Sequence, residues 1–279
     1  MHTHSNALID PDELLLLHGR DQVKLLDASW VMAGKGETGR QLYEKQHIIG
    51  SHFFDIDLVA DHSTHLPHMI PAATVFEEYV GNLGIRADDH VVIYDHWGFA
   101  SAAARVWWMF RLFGHRGSIN ILDGGLPAWI KKGGHVSNVV EQPPIKQHYM
   151  AHFQPHLLKT RQQVEENINN GHFLLLDARS PERFSGQAPE PWPNRAMGHI
   201  KGSINLFFQE MINRETGQLK SRDDLRAILA KTGIDLHQPI AITCGSGVTA
   251  CVLGLALYEI GQQDAAIYDG SWAEWGLIL

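Results

Sequence analysis

Lys24-Leu25-Leu26-Asp27-Ala28 and Leu174-Leu175-Leu176-Asp177-Ala178 are two copies of one short apolar stretch, one in each half of the chain. Three further stretches recur in the same order: His47–Ser51 as His199–Ser203, Val91–Asp95 as Ile240–Cys244, and Ile121–Gly125 as Ile267–Ser271. Self-similarity at a fixed spacing is the sequence signature of a repeated structural unit. The chain is therefore predicted to contain the same domain twice.

Each copy alternates short apolar runs, which end in Asp, Cys or Gly, with longer stretches of helical period. The predicted helices include Ala72–Leu83, Ala100–Phe113, Arg222–Lys231 and Val248–Ile260. Short buried strands that alternate with helices are typical of βαβ units around a parallel sheet covered on both faces. The predicted fold class is α/β, with two tandem domains that each contain a mainly parallel sheet flanked by helices.

The segment between the two copies loses this periodicity. Lys132–His156 contains Gly133-Gly134, Pro143-Pro144 and Pro155, a composition typical of a linker between domains. We therefore expect an N-terminal domain at residues 1–137, a linker at 138–158 and a C-terminal domain at 159–279.

Composition limits the classes of function. The chain has 279 residues, 44% of them hydrophobic, and a formal net charge of −8, which argues against nucleic acid as a partner. No apolar stretch is long enough to span a bilayer, and residues 1–12 lack the pattern of a secretory signal. We expect a soluble, cytoplasmic protein with no membrane partner, whose two cysteines, Cys244 and Cys251, are free thiols in a reducing compartment.

Cys244-Gly245-Ser246-Gly247 lies between a predicted strand, Pro239–Thr243, and a predicted helix that begins at Val248. Such a turn lies at the carboxyl end of a parallel sheet, where backbone N–H groups and the helix N-terminus form an anion cradle. Such dipoles are expected to favour a thiolate, and Cys244 is therefore the predicted nucleophile. A buried structural cysteine is the alternative, but it leaves the two flanking glycines unexplained. Cys251, inside the helix, is predicted to pack in the core.

Two other chemistries fail on spacing. A phosphatase of the Cys-x5-Arg type needs an arginine where this chain has Ala250, and a hydrolase elbow needs Gly-x-Ser-x-Gly, whereas Ser246 lies between Cys244 and Val248. What remains is an uncharged cradle around a thiolate, which suits chemistry at sulfur.

The stretch Cys244-Gly245-Ser246-Gly247-Val248-Thr249 resembles the active-site loop of the 3-mercaptopyruvate sulfurtransferases, a branch of the rhodanese superfamily. The resemblance extends to the tandem domains and to Gly198–Gly202, Asp269–Trp272 and Leu66–Pro71. It implies a rhodanese fold for both domains, and a Cys244 that takes sulfur from 3-mercaptopyruvate and releases pyruvate. The persulfide sulfur then passes to a thiol, thioredoxin or cyanide, with no metal or organic cofactor. The N-terminal domain is implied to be inactive, and Asp95 indeed stands where the second copy has Cys244.

The resemblance also implies roles for individual residues. Ser246, His68 and Asp57 match a relay that reaches across the domain interface, and a proton source suits a pyruvate that leaves as an enolate. The alternatives are a loop hydrogen bond for Asp57 and His68, and small size alone for Ser246.

The resemblance implies that the loop residues Gly245, Gly247, Val248 and Thr249 bind the substrate. Arg183 matches the first of two arginines that hold the donor carboxylate. The second should follow Pro189-Glu190-Pro191, where this chain has Trp192. Either Arg195 reaches the site from a shifted position, or the site has one arginine fewer and the donor differs.

Two alternative functions stay open. A thiosulfate sulfurtransferase is disfavoured because Gly245 and Ser246 supply no cation for a dianionic donor. A non-catalytic sulfur-binding or regulatory module is disfavoured by the intact cysteine loop. A metal site at His62, His65 and His68 is not expected, because Pro67 breaks any helix that would align the three side chains.

Overall fold

The computed structural model, which describes residues 6–98 and 102–278, contains two five-stranded sheets, one for each copy. The strands are β1 (Leu8–Ile9), β2 (Val23–Asp27), β3 (His47–Ile48), β4 (Ser51–Phe53), β5 (His90–Tyr94), β6 (Ile119–Leu122), β7 (Val136–Ser137), β8 (Leu158–Lys159), β9 (Leu174–Asp177), β10 (Ile204–Asn205), β11 (Ile240–Thr243) and β12 (Ala266–Tyr268). The helices are α1 (Pro11–Leu17), α2 (Gly39–Lys45), α3 (Ala73–Asn82), α4 (Ala103–Leu112), α5 (Gly125–Lys131), α6 (Arg161–Asn170), α7 (Pro181–Phe184), α8 (Arg222–Lys231), α9 (Ala250–Glu259) and α10 (Ser271–Trp275). Two short 3₁₀ helices lie at Pro155–Leu157 and Phe208–Met211.

The two sheets have the same topology. The strand order is β1-β6-β5-β2-β4 in the first sheet and β8-β12-β11-β9-β10 in the second, and every pair in both is parallel. A short antiparallel pair, β3 with β7, lies outside them. The predicted α/β class with two similar, mainly parallel sheets is confirmed.

The strand register makes Asp95 and Cys244 equivalent positions. Each follows the central strand of its sheet, and the last residues of these strands pair as Tyr94 with Asp27 and as Thr243 with Asp177. The next backbone contact is also shared: the carbonyl of Asp95 accepts a hydrogen bond from Leu126 N–H, and that of Cys244 from Trp272 N–H. The repeat identified in the sequence is therefore a repeat of three-dimensional positions.

The predicted helices are present, with ends that differ by up to three residues. Helix α8 begins where predicted because the Ser221 hydroxyl accepts the backbone N–H of Asp224 as an N-cap. Helix α9 is buried on nearly all sides, which explains why its sequence is apolar all round. Ala100 and Ser101, the first residues of one predicted helix, lie outside the described residues. None of the described helices is long and apolar enough to cross a membrane.

The chain divides into two compact units, and each unit takes a short segment from the opposite repeat. Unit 1 contains the chain up to Ala60 together with Pro71–Gln154 and Arg214–Leu219. Unit 2 contains Asp61–Ile70, Pro155–Asn213 and the chain from Lys220 onward. The predicted relay residue His68 therefore belongs to the same unit as Cys244, although it lies in the first half of the sequence.

Each unit has its own apolar core against the sheet. In unit 1 the core contains Tyr94 of β5 and Trp129 of α5, both fully buried. In unit 2 the core contains Tyr268 of β12 and Trp272 of α10. These cores fix the carboxyl ends of the central strands, where Asp95 and Cys244 lie.

Candidate active site

Cys244 is the first residue after β11 and is 1% exposed. The loop that follows it is buried: Ser246 is 5% exposed and Val248 is 4% exposed. Gly247 has a φ of 78°, in the left-handed region that favours glycine, so the turn into α9 depends on that residue. The sequence predicted a strand-to-helix turn around the cysteine, and the structure has that turn.

A second stretch of chain, residues 269–273, holds the cysteine loop through its backbone. The Cys244 N–H donates to the Ser271 hydroxyl at 3.1 Å, and the Trp272 N–H donates to the Cys244 carbonyl at 3.0 Å. The Ala273 N–H then donates to the Gly245 carbonyl at 2.8 Å. Ser271 itself has a φ of 49°, which is uncommon for a residue with a side chain. Three hydrogen bonds therefore fix the backbone of the candidate nucleophile.

Gly245 is covered by a cation and by an aromatic ring. A Cβ atom at this position would lie 2.8 Å from Arg183 Nη2 and 2.8 Å from Trp192 Cζ3. A side chain at this position would have to displace Arg183 or Trp192. Arg183, predicted to bind the donor carboxylate, thus lies directly against the residue that follows Cys244, and Trp192 lies beside it.

Arg183 is the outer member of a charged network that is otherwise buried. Its Nη2 atom lies 2.5 Å from Glu190 Oε2, and the other oxygen of Glu190 lies 2.8 Å from Arg179 Nη1. Arg179 in turn contacts Asp177 at 2.7 Å, and all these side chains except Arg183 are at most 1% exposed. Burial by itself lowers the pKa of Arg179, but the bonds and charge of Asp177, with the charge of Glu190, raise it above its ordinary value.

Arg179 also contacts the stretch that holds the loop. Its guanidinium lies 4.3 Å from the ring centroid of Trp272, within the range of a cation–π interaction. The charged network therefore contacts the cysteine loop in two ways, through Arg183 beside Gly245 and through Trp272, whose N–H donates to the Cys244 carbonyl.

Arg195, the predicted second cation, is bonded to backbone. Its Nε atom donates to the Ala273 carbonyl at 2.5 Å, and its Nη1 atom donates to the carbonyls of Pro193 and Asn194. Arg195 therefore bonds to Ala273, the residue whose N–H donates to the Gly245 carbonyl, whereas Arg183 lies against Gly245 itself.

The remaining predicted residues lie in both units. His68, in unit 2, is 8% exposed and has a φ of 60°. Asp57 belongs to unit 1, is exposed, and accepts a hydrogen bond from Trp30 Nε1 at 2.8 Å. Thr249 is the N-cap residue of α9. The structure thus places Cys244, Ser246, His68 and the two arginines in one unit and Asp57 in the other.

Both cysteines are free, as predicted, and both are buried, which was predicted for Cys251 only. Cys251 is in the first turn of α9, and its Sγ atom donates to the Gly247 carbonyl at 3.2 Å. This contact gives Cys251 a packing role behind the loop.

The equivalent position in unit 1 is built differently. Asp95 is fully buried and accepts the Trp97 N–H at 2.9 Å. His96 lies where unit 2 has Gly245, and its Nε2 atom is 3.3 Å from Asp27 Oδ2. In unit 1 a carboxylate replaces the thiol of Cys244, and an imidazole side chain replaces the glycine that follows it.

Sequence reasoning missed four residues of this neighbourhood: Arg179, Glu190, Asp269 and Ser271. Asp269 and Ser271 were noted only as part of a motif, and Glu190 only as part of Pro-Glu-Pro. The partners of Asp269 and Ser271 are distant in sequence. Those of Arg179 and Glu190 are nearer, but spacing alone does not show which charges pair. Within the described part of the chain, no three His, Cys, Asp or Glu side chains form a group that could hold a metal ion.

Comparison with known proteins gives consistent matches. Residues 10–132 and 160–277 each match the rhodanese-like domain family. The chain is 42% identical over 255 residues to 3-mercaptopyruvate sulfurtransferase of Homo sapiens, covering 91% of this chain and 84% of that protein. It is also 42% identical, with the same coverage, to thiosulfate sulfurtransferase of Mus musculus. The crystal structure of SseA from Escherichia coli, one of the 3-mercaptopyruvate sulfotransferases, matches 96% of this chain and 99% of that chain, with a TM-score of 0.85 and 32% identity.

Proposed function

Because the chain belongs to the two-domain sulfurtransferases of the rhodanese-like family, we propose that it moves a sulfur atom from 3-mercaptopyruvate, through a persulfide on Cys244, to an acceptor thiol or cyanide. The C-terminal domain carries the reaction, and the N-terminal domain, with Asp95 at the equivalent position, carries no persulfide. The boundary between the two domains is the segment 138–158.

The observation that supports this donor is the position of Arg183 against Gly245, the residue after Cys244. A guanidinium can hold both oxygens of a carboxylate in a fixed geometry. The donor's thiol sulfur lies at the far end of its three-carbon chain, so a carboxylate on Arg183 leaves that sulfur within reach of the cysteine loop. Gly245, Gly247, Val248 and Thr249 provide the backbone of the pocket, and Arg195 contributes through the Ala273 carbonyl it holds.

The chemical step is a nucleophilic attack at sulfur. The Cys244 thiolate attacks the sulfur of the donor and forms an S–S bond. The C–S bond of the donor breaks, and its electron pair stays on the carbon fragment as the enolate of pyruvate. Protonation of that enolate gives pyruvate, and the persulfide stays on Cys244 until an acceptor thiolate removes its outer sulfur.

The proton for the enolate comes from the relay that the family resemblance implies. Ser246 lies in the cysteine loop, and His68 lies in the same unit. A positioned acid typically accelerates such a step by about 10² to 10⁴-fold. His68→Ala and Asp57→Ala are therefore expected to slow pyruvate release without preventing the persulfide from forming on Cys244.

A second donor, thiosulfate, has to be tested because a relative named for it is equally similar to this chain. The charges near Cys244 disfavour it. Arg179 and Arg183 are offset by Asp177 and Glu190, so the network carries no net positive charge for a dianion. A monoanionic carboxylate with a neutral thiol fits this balance better.

We propose thioredoxin, a protein dithiol, as an acceptor, and the cytoplasm as the location, because two buried free thiols fit a reducing compartment. The donor question is decided by supplying 3-mercaptopyruvate and thiosulfate side by side with cyanide as acceptor. Thiocyanate formation from both donors, together with pyruvate release from the first, should show a much higher kcat/KM for 3-mercaptopyruvate. A higher kcat/KM for thiosulfate would overturn the proposal.

A further inference from the structure

Asp269 joins the segment that carries His68 to the rest of unit 2. Its Oδ2 atom accepts a hydrogen bond from the Ile70 N–H at 2.7 Å, across 199 positions of sequence. Asp269 is 4% exposed, so this bond is shielded from water. Ile70 is two residues after His68 and is the last residue of the segment Asp61–Ile70, which comes from the first repeat but belongs to unit 2.

The segment needs such an anchor because it has little regular structure of its own. It contains no helix or strand, and the backbone of His68 is in the left-handed region, with a φ of 60°. One backbone bond, from Asp61 N–H to the Met69 carbonyl, closes the segment into a loop. That bond sets the shape of the loop, and the carboxylate of Asp269 sets its position on unit 2.

The same short stretch of chain holds the nucleophile. Asp269 begins the stretch 269–273, whose members Ser271, Trp272 and Ala273 make the three hydrogen bonds to Cys244 and Gly245 described above. The loop with His68 and the loop with Cys244 are therefore both fixed to one five-residue support. A shift of this support would therefore displace both loops.

The other repeat provides an internal comparison. Asp123 occupies the position equivalent to Asp269, and its Oδ1 atom accepts the Leu219 N–H at 3.0 Å. Leu219 ends the segment Arg214–Leu219, which comes from the second repeat but belongs to unit 1. Both repeats thus use an aspartate after the last strand to anchor a segment of the other repeat. Only the segment on Asp269 carries a residue with a proposed part in catalysis.

We propose that Asp269 is a positioning residue for sulfur transfer, which acts by fixing His68 relative to the support that holds Cys244. This inference rests on the proposed function, in which His68 takes part in protonating the pyruvate enolate. Small displacements of a positioned group cost large factors in rate, roughly tenfold to a hundredfold.

The test compares Asp269→Ala with Asp269→Asn and with the matched control Asp123→Ala. The readouts are kcat and KM for pyruvate release from 3-mercaptopyruvate, per folded molecule, with the thermal midpoint recorded for each variant. Asp269→Ala should lower kcat roughly tenfold to a hundredfold with little change in KM. Asp269→Asn should recover most of the rate, because its amide oxygen can still accept the Ile70 N–H. Asp123→Ala should lower the thermal midpoint and leave kcat and KM at wild-type values.

A double variant separates positioning from general damage. If Asp269 acts through His68, Asp269→Ala combined with His68→Ala should be no slower than His68→Ala alone. Additive losses, a wild-type kcat in Asp269→Ala, or equal losses of kcat in Asp269→Ala and Asp123→Ala would each overturn the inference.

Failure of the proposed function has a different signature. A wild-type protein that releases no pyruvate would refute the function, and hydrogen exchange at the Ile70 amide would then test the anchor by itself. Faster exchange at Ile70 in Asp269→Ala than in Asp123→Ala supports the anchor, and equal rates contradict it.

Discussion

Glu190 lies between two arginines, with one carboxylate oxygen 2.5 Å from Arg183 Nη2 and the other 2.8 Å from Arg179 Nη1. The Glu190 side chain is 1% exposed, whereas the Arg183 side chain is 26% exposed. The carboxylate therefore fixes a partly accessible guanidinium beside Gly245 from a buried position. This arrangement gives the donor site one oriented cation, and it makes Glu190 a structural requirement of the site.

The first prediction concerns this buried carboxylate. Glu190→Gln removes the charge shared by two arginines, and breaking a buried ion pair on one side typically costs about 3–5 kcal/mol. Urea unfolding should show a loss of this size in the free energy of unfolding. Glu182→Gln, at an exposed position on α7 beside Arg183, should change it by less than about 0.5 kcal/mol. Similar small effects in both variants would show that the network does not stabilise unit 2.

The second prediction concerns donor binding. Arg183→Ala should raise KM for 3-mercaptopyruvate, because a charged hydrogen bond to the carboxylate is worth about 1.5–3 kcal/mol, or roughly a tenfold to hundredfold change. Arg183→Lys should recover only part of this, since an ammonium holds a carboxylate through a single point of charge. Steady-state kinetics of pyruvate release measure both. An unchanged KM in Arg183→Ala would remove Arg183 from the site.

The third prediction separates Arg195 and Trp192. Because Arg195 already donates to three backbone carbonyls, Arg195→Ala should raise KM less than Arg183→Ala does. Trp192→Arg places a second guanidinium near Gly245 and should lower KM for 3-mercaptopyruvate. An Arg195→Ala variant as impaired as Arg183→Ala would instead make Arg195 a direct carboxylate ligand.

Much of this architecture follows from the sequence, because the repeat carries its own register. The alignment of Ile240–Cys244 with Val91–Asp95 predicted that Asp95 and Cys244 are equivalent, and the strand pairing shows it. Apolar periodicity predicted the helices because the buried face of a helix requires apolar residues at regular intervals in the sequence.

The two segments that belong to the unit of the opposite repeat have no such periodicity. Asp61–Ile70 and Arg214–Leu219 are irregular, and their positions depend on contacts with residues distant in sequence, such as the hydrogen bonds to Asp269 and Asp123. The buried network around Glu190 was missed for the same reason. The two partners of Glu190, Arg179 and Arg183, are separated from it by chain that includes the irregular stretch 185–189, and local spacing does not show which charges the carboxylate contacts.

The fourth prediction concerns the division of labour between the repeats. Asp95 is a buried carboxylate, which cannot accept sulfur, and the N-terminal repeat should therefore bind none. Asp95→Ala should leave the stoichiometry at about one sulfur per chain while lowering the thermal midpoint, because Asp95 accepts the Trp97 N–H. Mass spectrometry of the intact protein after donor treatment measures the stoichiometry. A second sulfur on residues 1–137 would contradict this division.

The most direct measurement is mass spectrometry of the wild-type protein after treatment with 3-mercaptopyruvate in the absence of an acceptor. We predict that the peptide containing Cys244 gains the mass of one sulfur atom and loses it again when cyanide or a thiol is added. Cys251→Ser should behave in the same way, since Cys251 packs behind the loop against the Gly247 carbonyl, and Cys244→Ser should gain nothing. Sulfur found on Cys251, or a wild-type protein that releases pyruvate while Cys244 stays unmodified, would contradict sulfur transfer through a Cys244 persulfide.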